Sequence, residues 1–244
     1  MSNHRIIPVL NILNRKLVKT RCFKDPVYLG DPVNALKIFN EKRVDELIVV
    51  DIGASRYKQE PDWIHLKEMA GECFIPLAYG GGVRKLQHAE KVFQCGIEKV
   101  IINSACKRDV AFLKELVSAF GSQSVVVSVD YKKNWIGKTS AYIISGTERL
   151  CSDLSEWVKE IADAGAGEIM LQDISRDGMF TGYDREFIYT VAQEITVPII
   201  ACGGAKAYTD CLSLLDTTSI SAAAAGSCFV FKNQNRNSIL INYG

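Results

Sequence analysis

Short apolar runs alternate along the chain with longer stretches in which apolar and polar residues recur at helical spacing. The runs are rich in Val and Ile, and several are continuous, as expected of strands with both faces covered. We predict strands at about 5–11, 46–51, 75–79, 99–103, 124–130, 167–172, 197–202 and 220–225. Helical patterns such as DPVNALKIFNEKRV and SDLSEWVKEIADAGA fill the intervals. Eight alternations predict an α/β protein, a (β/α)8 barrel (TIM barrel) rather than an open doubly wound sheet.

The two halves of the chain resemble each other. VDELIVVDIGAS, beginning at residue 44, is similar to AGEIMLQDISRD, beginning at residue 166. IPLAYGGG, beginning at residue 75, is similar to VPIIACGG, beginning at residue 197. Both offsets equal 122, half of the 244-residue chain. We therefore predict one barrel domain over 1–244, built from two similar half-barrels at about 1–122 and 123–244.

Composition narrows the functional class. Lys and Arg total 29 against 28 Asp and Glu, and the net charge of +1 gives no electrostatic footprint for nucleic acid. No apolar run reaches the roughly 18 residues of a membrane helix, and the first residues lack a signal-peptide pattern. Eight cysteines occur without a CxxC pair, so neither a zinc site nor a disulfide framework is expected. We predict a soluble, cytoplasmic protein with no metal or cofactor, which binds neither nucleic acid nor membrane.

Polar residues and glycines collect at the predicted strand ends, the face of a barrel on which active sites lie. The polar residues are Asn11, Asp51, Asn103, Asp130, Asp173 and Asp177. The glycine-containing segments, after the third, seventh and eighth strands, are Gly80-Gly81-Gly82, Gly203-Gly204 and Gly226-Ser227. Glycine lets backbone N–H groups approach an oxyanion, and a helix opening there adds a favourable dipole. We predict that the first two of these segments open helices and that the segments together bind a ligand with two phosphates.

Segments along nearly the whole chain resemble the cyclase subunit of imidazole glycerol phosphate synthase, the HisF family. The segments are RIIPVLNI, GDPVNAL, DELIVVDIGAS, IPLAYGGGVR, KVIINSA, FGSQSVVVSVD, GAGEIMLQDISRDGMFTGYD and VPIIACGGA. The resemblance implies a bisphosphate substrate, with Lys19 and Ser145 kept in the loops around it. It also implies a class I glutaminase docked at the bottom face, whose ammonia passes through the barrel and attacks the substrate at the top.

One catalytic position departs from the resembled family. Its cyclisation uses two aspartates as general acid and base, at the ends of the first and fifth strands. Asp130 stands at the fifth strand, whereas Asn11 stands at the first. An amide does not titrate, and proton transfer by a positioned group contributes roughly 10²–10⁴ in rate. The resemblance therefore implies that cyclase activity is lost, and Gln172 and Ser175 depart from the family pattern on the same face.

Side-chain parity places four charged residues inside the barrel floor. If Asn11 faces the mouth, Arg5 on the same strand points inward at the bottom. Glu46, Lys99 and Glu168 begin the second, fourth and sixth strands. A salt-bridged plug is one interpretation, because buried charges are tolerated when they are paired. In the resembled family the matching residues form the gate of the ammonia tunnel, which implies that the ammonia function is kept.

Three functions stay open. In the leading interpretation the chain is a paralogue of the cyclase subunit that passes ammonia to another acceptor. The resemblance extends to paralogues found beside sugar-modifying amidotransferases. It implies that the ammonia converts an acetamido group of a surface-polysaccharide sugar into an acetamidino group. The second is an active cyclase subunit of histidine biosynthesis, a lyase, in which Asp130 carries the chemistry alone. The third is a non-catalytic scaffold that activates its glutaminase.

Overall fold

The computed structural model describes residues 4–106, 110–236 and 238–243. These residues form twelve strands: β1 (Arg5–Leu13), β2 (Lys16–Arg21), β3 (Lys24–Gly30), β4 (Leu47–Asp51), β5 (Leu77–Gly80), β6 (Lys99–Ile102), β7 (Val125–Lys133), β8 (Thr139–Ile143), β9 (Glu148–Cys151), β10 (Glu168–Asp173), β11 (Ile199–Cys202) and β12 (Ala222–Ala225). The same residues form eight α-helices: α1 (Pro32–Glu41), α2 (Trp63–Gly71), α3 (Leu86–Gln94), α4 (Ala111–Phe120), α5 (Leu154–Asp163), α6 (Arg185–Glu194), α7 (Tyr208–Thr217) and α8 (Ser227–Val230).

Eight parallel strands close into a barrel. Their order is β1, β4, β5, β6, β7, β10, β11 and β12, and β12 pairs with β1. Each predicted strand corresponds to one of these eight, with ends that differ by a few residues. The predicted (β/α)8 fold is therefore confirmed. None of the helices in the described ranges is long and apolar enough to cross a membrane.

Local sequence signals set the helix starts and the faces that pack on the barrel. Asp31 caps α1 by accepting a hydrogen bond from the N–H of Val33 at 3.0 Å, and Pro32 takes the first helical position, where no donor is needed. Helix α5 buries residues at the spacing of a single helical face, which covers the outside of the barrel wall. The buried residues of α5 are Leu154, Trp157, Val158 and Ile161.

The core has two parts, divided by the barrel wall. The larger part fills the space between strands and helices. The smaller part lies inside the barrel: Ile7, Val9, Ile48, Ala78, Ile101, Val126, Met170, Ile200, Cys202, Ala222 and Ala224. Bulky branched residues usually dominate such an interior. Here alanines occupy three inward positions on β5 and β12, so both of these strands contribute small side chains to the interior.

Two antiparallel hairpins extend the barrel at the carboxyl ends of its strands. Strands β2 and β3 follow β1, and β8 and β9 follow β7. The turn between β2 and β3 contains Cys22 and Phe23, both with positive φ. Two-residue hairpin turns of this kind favour Asn and Gly, so Cys-Phe carries no sequence signal for the turn. These hairpins raise the rim of the mouth.

The chain ends differently from the seven preceding units. Helix α8 is a single turn, and the tail (residues 231–236 and 238–243) follows without a helix. A bridge joins Phe231 to Ile239, and the hydroxyl of Tyr243 donates to the carbonyl oxygen of Ile6 at 3.0 Å. The tail therefore covers the outside of the first and last strands.

Candidate functional site

The strand ends and hairpins enclose a cavity of about 350 Å³ at the mouth of the barrel. Its lining includes every residue predicted for catalysis or ligand binding: Asn11, Lys19, Asp51, Gly81, Gly82, Asn103, Asp130, Ser145, Asp177, Gly203, Gly204, Gly226 and Ser227. Asp173, also noted at a strand end, does not line it. A cavity of this size suits a small organic ligand.

Matching contacts hold the mouth in the two halves of the chain. Asp51 Oδ1 accepts from the N–H groups of the second and third residues after it, at 2.9 and 3.1 Å, and Asp173 Oδ1 does the same at 2.9 and 3.2 Å. A Cβ atom on Gly81 would lie 2.6 Å from the carbonyl oxygen of Asp51, and one on Gly203 would lie 2.6 Å from that of Asp173. The offset between these contacts is again 122 residues. Both carboxylates therefore hold loops in place.

The prediction that the glycine segments after β5 and β11 open helices is wrong. Helix α3 begins only at Leu86 and α7 only at Tyr208. Glycine is needed at Gly81 and Gly203 for a different reason, since both have positive φ and lie against the neighbouring strand end. Any anion bound at these two loops would meet loop N–H groups, with no contribution from the first turn of a helix.

A buried ion pair lies beside the loop that follows β12. Lys19 Nζ is 2.6 Å from Asp177 Oδ1, and Thr20 Oγ1 donates to Asp177 Oδ2 at 3.0 Å. A Cβ atom on Gly226 would lie 3.3 Å from Lys19 Nζ, so the ammonium group packs against this loop. The hydroxyl of Ser227 is buried and has no hydrogen-bond partner among the described residues. Buried polar groups are usually paired, so the unpartnered hydroxyl of Ser227 is an exception in this part of the mouth.

Asp130 and Asn11 both line the cavity and are each 8% exposed. Burial raises the pKa of Asp130 to about 7, although the hydroxyl of Ser128, which donates to Asp130 Oδ1 at 2.8 Å, acts to lower it. Such a carboxyl group can exchange a proton near neutral pH. Asn11 offers no second titrating group. Of these two residues, only Asp130 can therefore gain or lose a proton.

Replacing Asp130 by Asn is expected to flatten the pH dependence of stability. A folded-state pKa of about 7 lies above the ordinary value near 4, so the folded state holds a proton that the unfolded chain has released. The contribution of Asp130 to the free energy of unfolding then falls as pH rises from about 4 to 7 and levels off above. Asp130→Asn should gain about 2–3 kcal/mol relative to wild type between pH 5 and pH 8. Urea unfolding at both pH values measures the difference.

Asp163→Asn is the matched control, because Asp163 lies exposed at the end of α5. That variant should differ from wild type by the same amount at pH 5 and at pH 8. Parallel stability curves for wild type and Asp130→Asn would show that Asp130 is ionised in the folded protein throughout this range.

A strained turn forms another part of the cavity wall. Ile144 and Ser145 have φ of 52° and 54°, a conformation that costs most for a β-branched residue such as Ile144. The turn is held by the hydroxyl of Ser145, which donates to the carbonyl oxygen of Ile52 at 3.0 Å, and by the N–H of Ile144, which donates to the hydroxyl of Ser104 at 2.9 Å. Backbone strain of this kind concentrates at functional sites.

Four charged side chains form a closed ring at the opposite end of the barrel. Arg5 pairs with both Glu46 and Glu168. Lys99 Nζ is 2.9 Å from Glu46 and 2.8 Å from Glu168, so each cation contacts both anions, as strand parity predicts. Burial acts to raise the pKa of Glu168, but hydrogen bonds from Arg5 and Lys99 outweigh it and lower that pKa. The ring is neutral and spans the floor of the barrel.

The polar residues of the mouth that sequence reasoning missed include Thr20 and Ser128. Ser128 lies two residues before Asp130 on one strand, so the period of two would have placed both side chains on the same face. Thr20 contacts Asp177 through the fold of the β2–β3 hairpin, and only the hairpin geometry reveals that contact. The position of Ser128 could have been predicted, whereas the contact made by Thr20 depends on tertiary structure.

Comparisons with known proteins agree with the family resemblance of the sequence. Residues 5–235 match the model of a family described as "Histidine biosynthesis protein". A hisF2 protein of Pseudomonas aeruginosa, provisionally named as an imidazole glycerol phosphate synthase subunit, is 47% identical over all of this chain and 96% of its own length. A hisF3 protein of Vibrio vulnificus with the same provisional name is 42% identical, over all of this chain and 94% of its length. The imidazole glycerol phosphate synthase subunit HisF of Streptococcus sanguinis is 35% identical, over 94% of this chain and 91% of its length.

Proposed function

The chain belongs to the HisF family of histidine biosynthesis proteins, and we propose that it is the ammonia-conducting subunit of an amidotransferase complex in which the cyclase reaction has been lost. A glutaminase of the class I type binds the bottom face of the barrel and releases ammonia there. The ammonia crosses the ring, travels through the barrel interior and leaves at the mouth.

The observation that carries this proposal is the closed ring at the floor, present together with Asn11 at the mouth. Pairing stabilises buried charges, but apolar side chains of similar size would close the floor at least as well. Four paired charges are therefore better explained by a role in passing ammonia than by packing alone. Lys99 has the longest flexible stem of the four and is the natural moving part, because swinging its ammonium group aside opens the ring.

The interior between ring and mouth supports passage of neutral ammonia. Its lining is apolar, and Ala78, Ala222 and Ala224 are small side chains within it. An ammonium ion entering this region would lose its hydration without gaining a partner, whereas neutral ammonia carries a far smaller penalty. The interior therefore favours the form of the nitrogen that can act as a nucleophile.

The acceptor that we propose is an acetamido sugar of a surface polysaccharide, converted into its acetamidino derivative by a partner amidotransferase. Asn11 argues against the family's own cyclisation, because one of its two proton-transfer groups is missing. The mouth keeps a place for a phosphorylated small molecule. The support for that place comes from Lys19 Nζ beside Gly226 and from the unpartnered hydroxyl of Ser227.

One observation favours a second candidate, an imidazole glycerol phosphate synthase subunit with residual cyclase activity. Asp130 has a pKa of about 7, which suits a group that both accepts and returns a proton. In that case Asp130 would serve both steps. A turnover assay with the family's bisphosphate substrate separates the two candidates.

The partner is tested with purified protein and a Cys-His-Glu glutaminase encoded in the same genome. The two proteins should associate at micromolar concentration, and glutamate release should rise on mixing. Phe74 lies on the loop between α2 and β5, at the bottom face, and is 83% exposed. An exposed aromatic side chain of this kind is a typical anchor of an interface. Phe74→Ser should weaken association about tenfold or more.

Ile64→Ser provides the matched control. Ile64 is 74% exposed at the opposite end of α2, on the side of the mouth, so its replacement should leave association unchanged. Sedimentation of the mixtures gives the affinities, and glutamate release gives the activation. Failure of every such glutaminase to associate at micromolar concentration would refute the conduit and leave the ring as a structural plug.

A further inference from the structure

The tail returns to the mouth through a single arginine. Arg236 Nη2 donates to the carbonyl oxygen of Lys19 at 3.0 Å. Its guanidinium group also lies over the ring of Phe231, with Cζ 4.6 Å from the ring centre. These contacts connect the last segment of the chain to the hairpin strand that supplies the ammonium group of the mouth.

The backbone of Arg236 is strained. Its φ is 59°, in the left-handed region that residues with side chains seldom adopt. Such a conformation persists only where surrounding contacts determine it, and it is concentrated at binding and catalytic sites. Here the carbonyl of Lys19 and the ring of Phe231 hold the side chain. These contacts fix the guanidinium group next to the backbone of Lys19.

The electrostatic surroundings of Arg236 favour an anion. Its Nε is buried and has no hydrogen-bond partner among the described residues. Burial lowers the pKa of Arg236, nearby Arg21 lowers it further, and Asp177 opposes both. With Lys19, three cations share this corner of the protein with the carboxylate of Asp177. A phosphate group near them would be attracted by the remaining positive charge.

The connection to the mouth runs through Lys19. Its carbonyl oxygen is held by Arg236, while its Nζ contacts Asp177 and packs against Gly226. The adjacent Ser227 presents the unpartnered buried hydroxyl. Displacing the backbone of Lys19 would therefore displace the ammonium group from the loop after β12.

We propose that Arg236 is a positioning residue for a phosphate site formed by Lys19, Gly226 and Ser227. By holding the carbonyl of Lys19, it fixes the ammonium group where a phosphate monoester or free phosphate would bind, and its charge adds to the attraction. The inference rests on the phosphate binding proposed for the mouth. Among the described residues, the site after β5, at Gly81 and Gly82, has no hydrogen bond to the tail and serves as an internal comparison.

Inorganic phosphate is the probe, titrated into full-length protein labelled with ¹⁵N-glycine. The amide signals of Gly226 and Gly82 report the two loops separately. Arg236→Met should weaken phosphate binding at Gly226 about tenfold and leave binding at Gly82 unchanged. Arg236→Lys keeps the charge and one donor, so it should stay within about threefold of wild type. Thermal unfolding of each variant establishes that it is folded.

Arg185→Met is the matched control, because Arg185 also donates to a backbone carbonyl, that of Ser213, but contacts α7 instead of Lys19. It should bind phosphate as wild type does. Equal affinity at Gly226 in wild type and Arg236→Met would overturn the positioning role, and so would an equal loss at both glycines. No shift at either glycine in wild type would instead refute phosphate binding at the mouth, and the inference with it.

Discussion

Purified protein given ammonium and the bisphosphate substrate of imidazole glycerol phosphate synthase is expected to react at least about a hundredfold more slowly than a relative with both aspartates. The amide of Asn11 does not titrate, so under the proposed function only Asp130 of the two positions could accept and return a proton. Positioned proton transfer contributes roughly 10²–10⁴ in rate, so its loss outweighs any modest change in substrate binding. Steady-state turnover at saturating substrate is the measurement.

Asn11→Asp tests the cause of the loss. It should raise turnover, although Gln172 in the same cavity wall limits the recovery. Asn103→Asp is the matched control, since it adds the same charge to the same cavity away from the end of β1, and it should restore nothing. Wild-type turnover of about 1 s⁻¹ or more, an ordinary enzymatic rate, would show that the cyclase reaction survives.

Breaking the ring is expected to cost more stability than any surface change. Lys99→Met leaves Glu46 and Glu168 to share Arg5, and removing one partner of a buried pair costs about 3–5 kcal/mol. The Lys99 side chain is 19% exposed, so solvent screens part of this loss, and about 2–3 kcal/mol is expected in urea unfolding. Lys159→Met, which breaks a surface pair with Glu194, should cost less than about 1 kcal/mol.

The same variant separates a gate from a plug. With the glutaminase bound, a gate requires that Lys99→Met change the fraction of amide nitrogen recovered at the mouth more than it changes complex formation. The double change Lys99→Met with Glu46→Gln restores neutrality and should recover part of the stability. Equal destabilisation by Lys99→Met and Lys159→Met would show that the ring contributes little to the fold.

The barrel could be predicted because its signals are local and repeated. Continuous apolar runs identify buried strands, and the period of two along β1 places Arg5 at the floor and Asn11 at the mouth. Once the strands close into a barrel, that parity places the charged ring at the floor and the polar residues at the mouth. The family resemblance added the roles of these residues, which the pattern alone does not give.

The features that were missed depend on the path of the chain after a strand ends. The β2–β3 turn uses Cys22 and Phe23 in conformations that favour Asn and Gly, so the hairpin has no composition signal. The tail has no helical periodicity, and the contact of Arg236 with Lys19 joins residues 217 positions apart. The late start of α3 and α7 was missed because a glycine pair marks a tight approach of backbones as well as a helix start.

The duplicated frame of the mouth has an evolutionary consequence. Asp51 and Asp173 fasten loops through backbone amides, and Gly81 and Gly203 admit the neighbouring strand ends. That framework is separate from the pair of positions at which a proton would be moved. A gene copy could therefore abandon its ancestral reaction with one amide-for-acid replacement while the scaffold around it stayed under its original constraints. Descendants of such a copy could change their acceptor specificity while keeping the same fold.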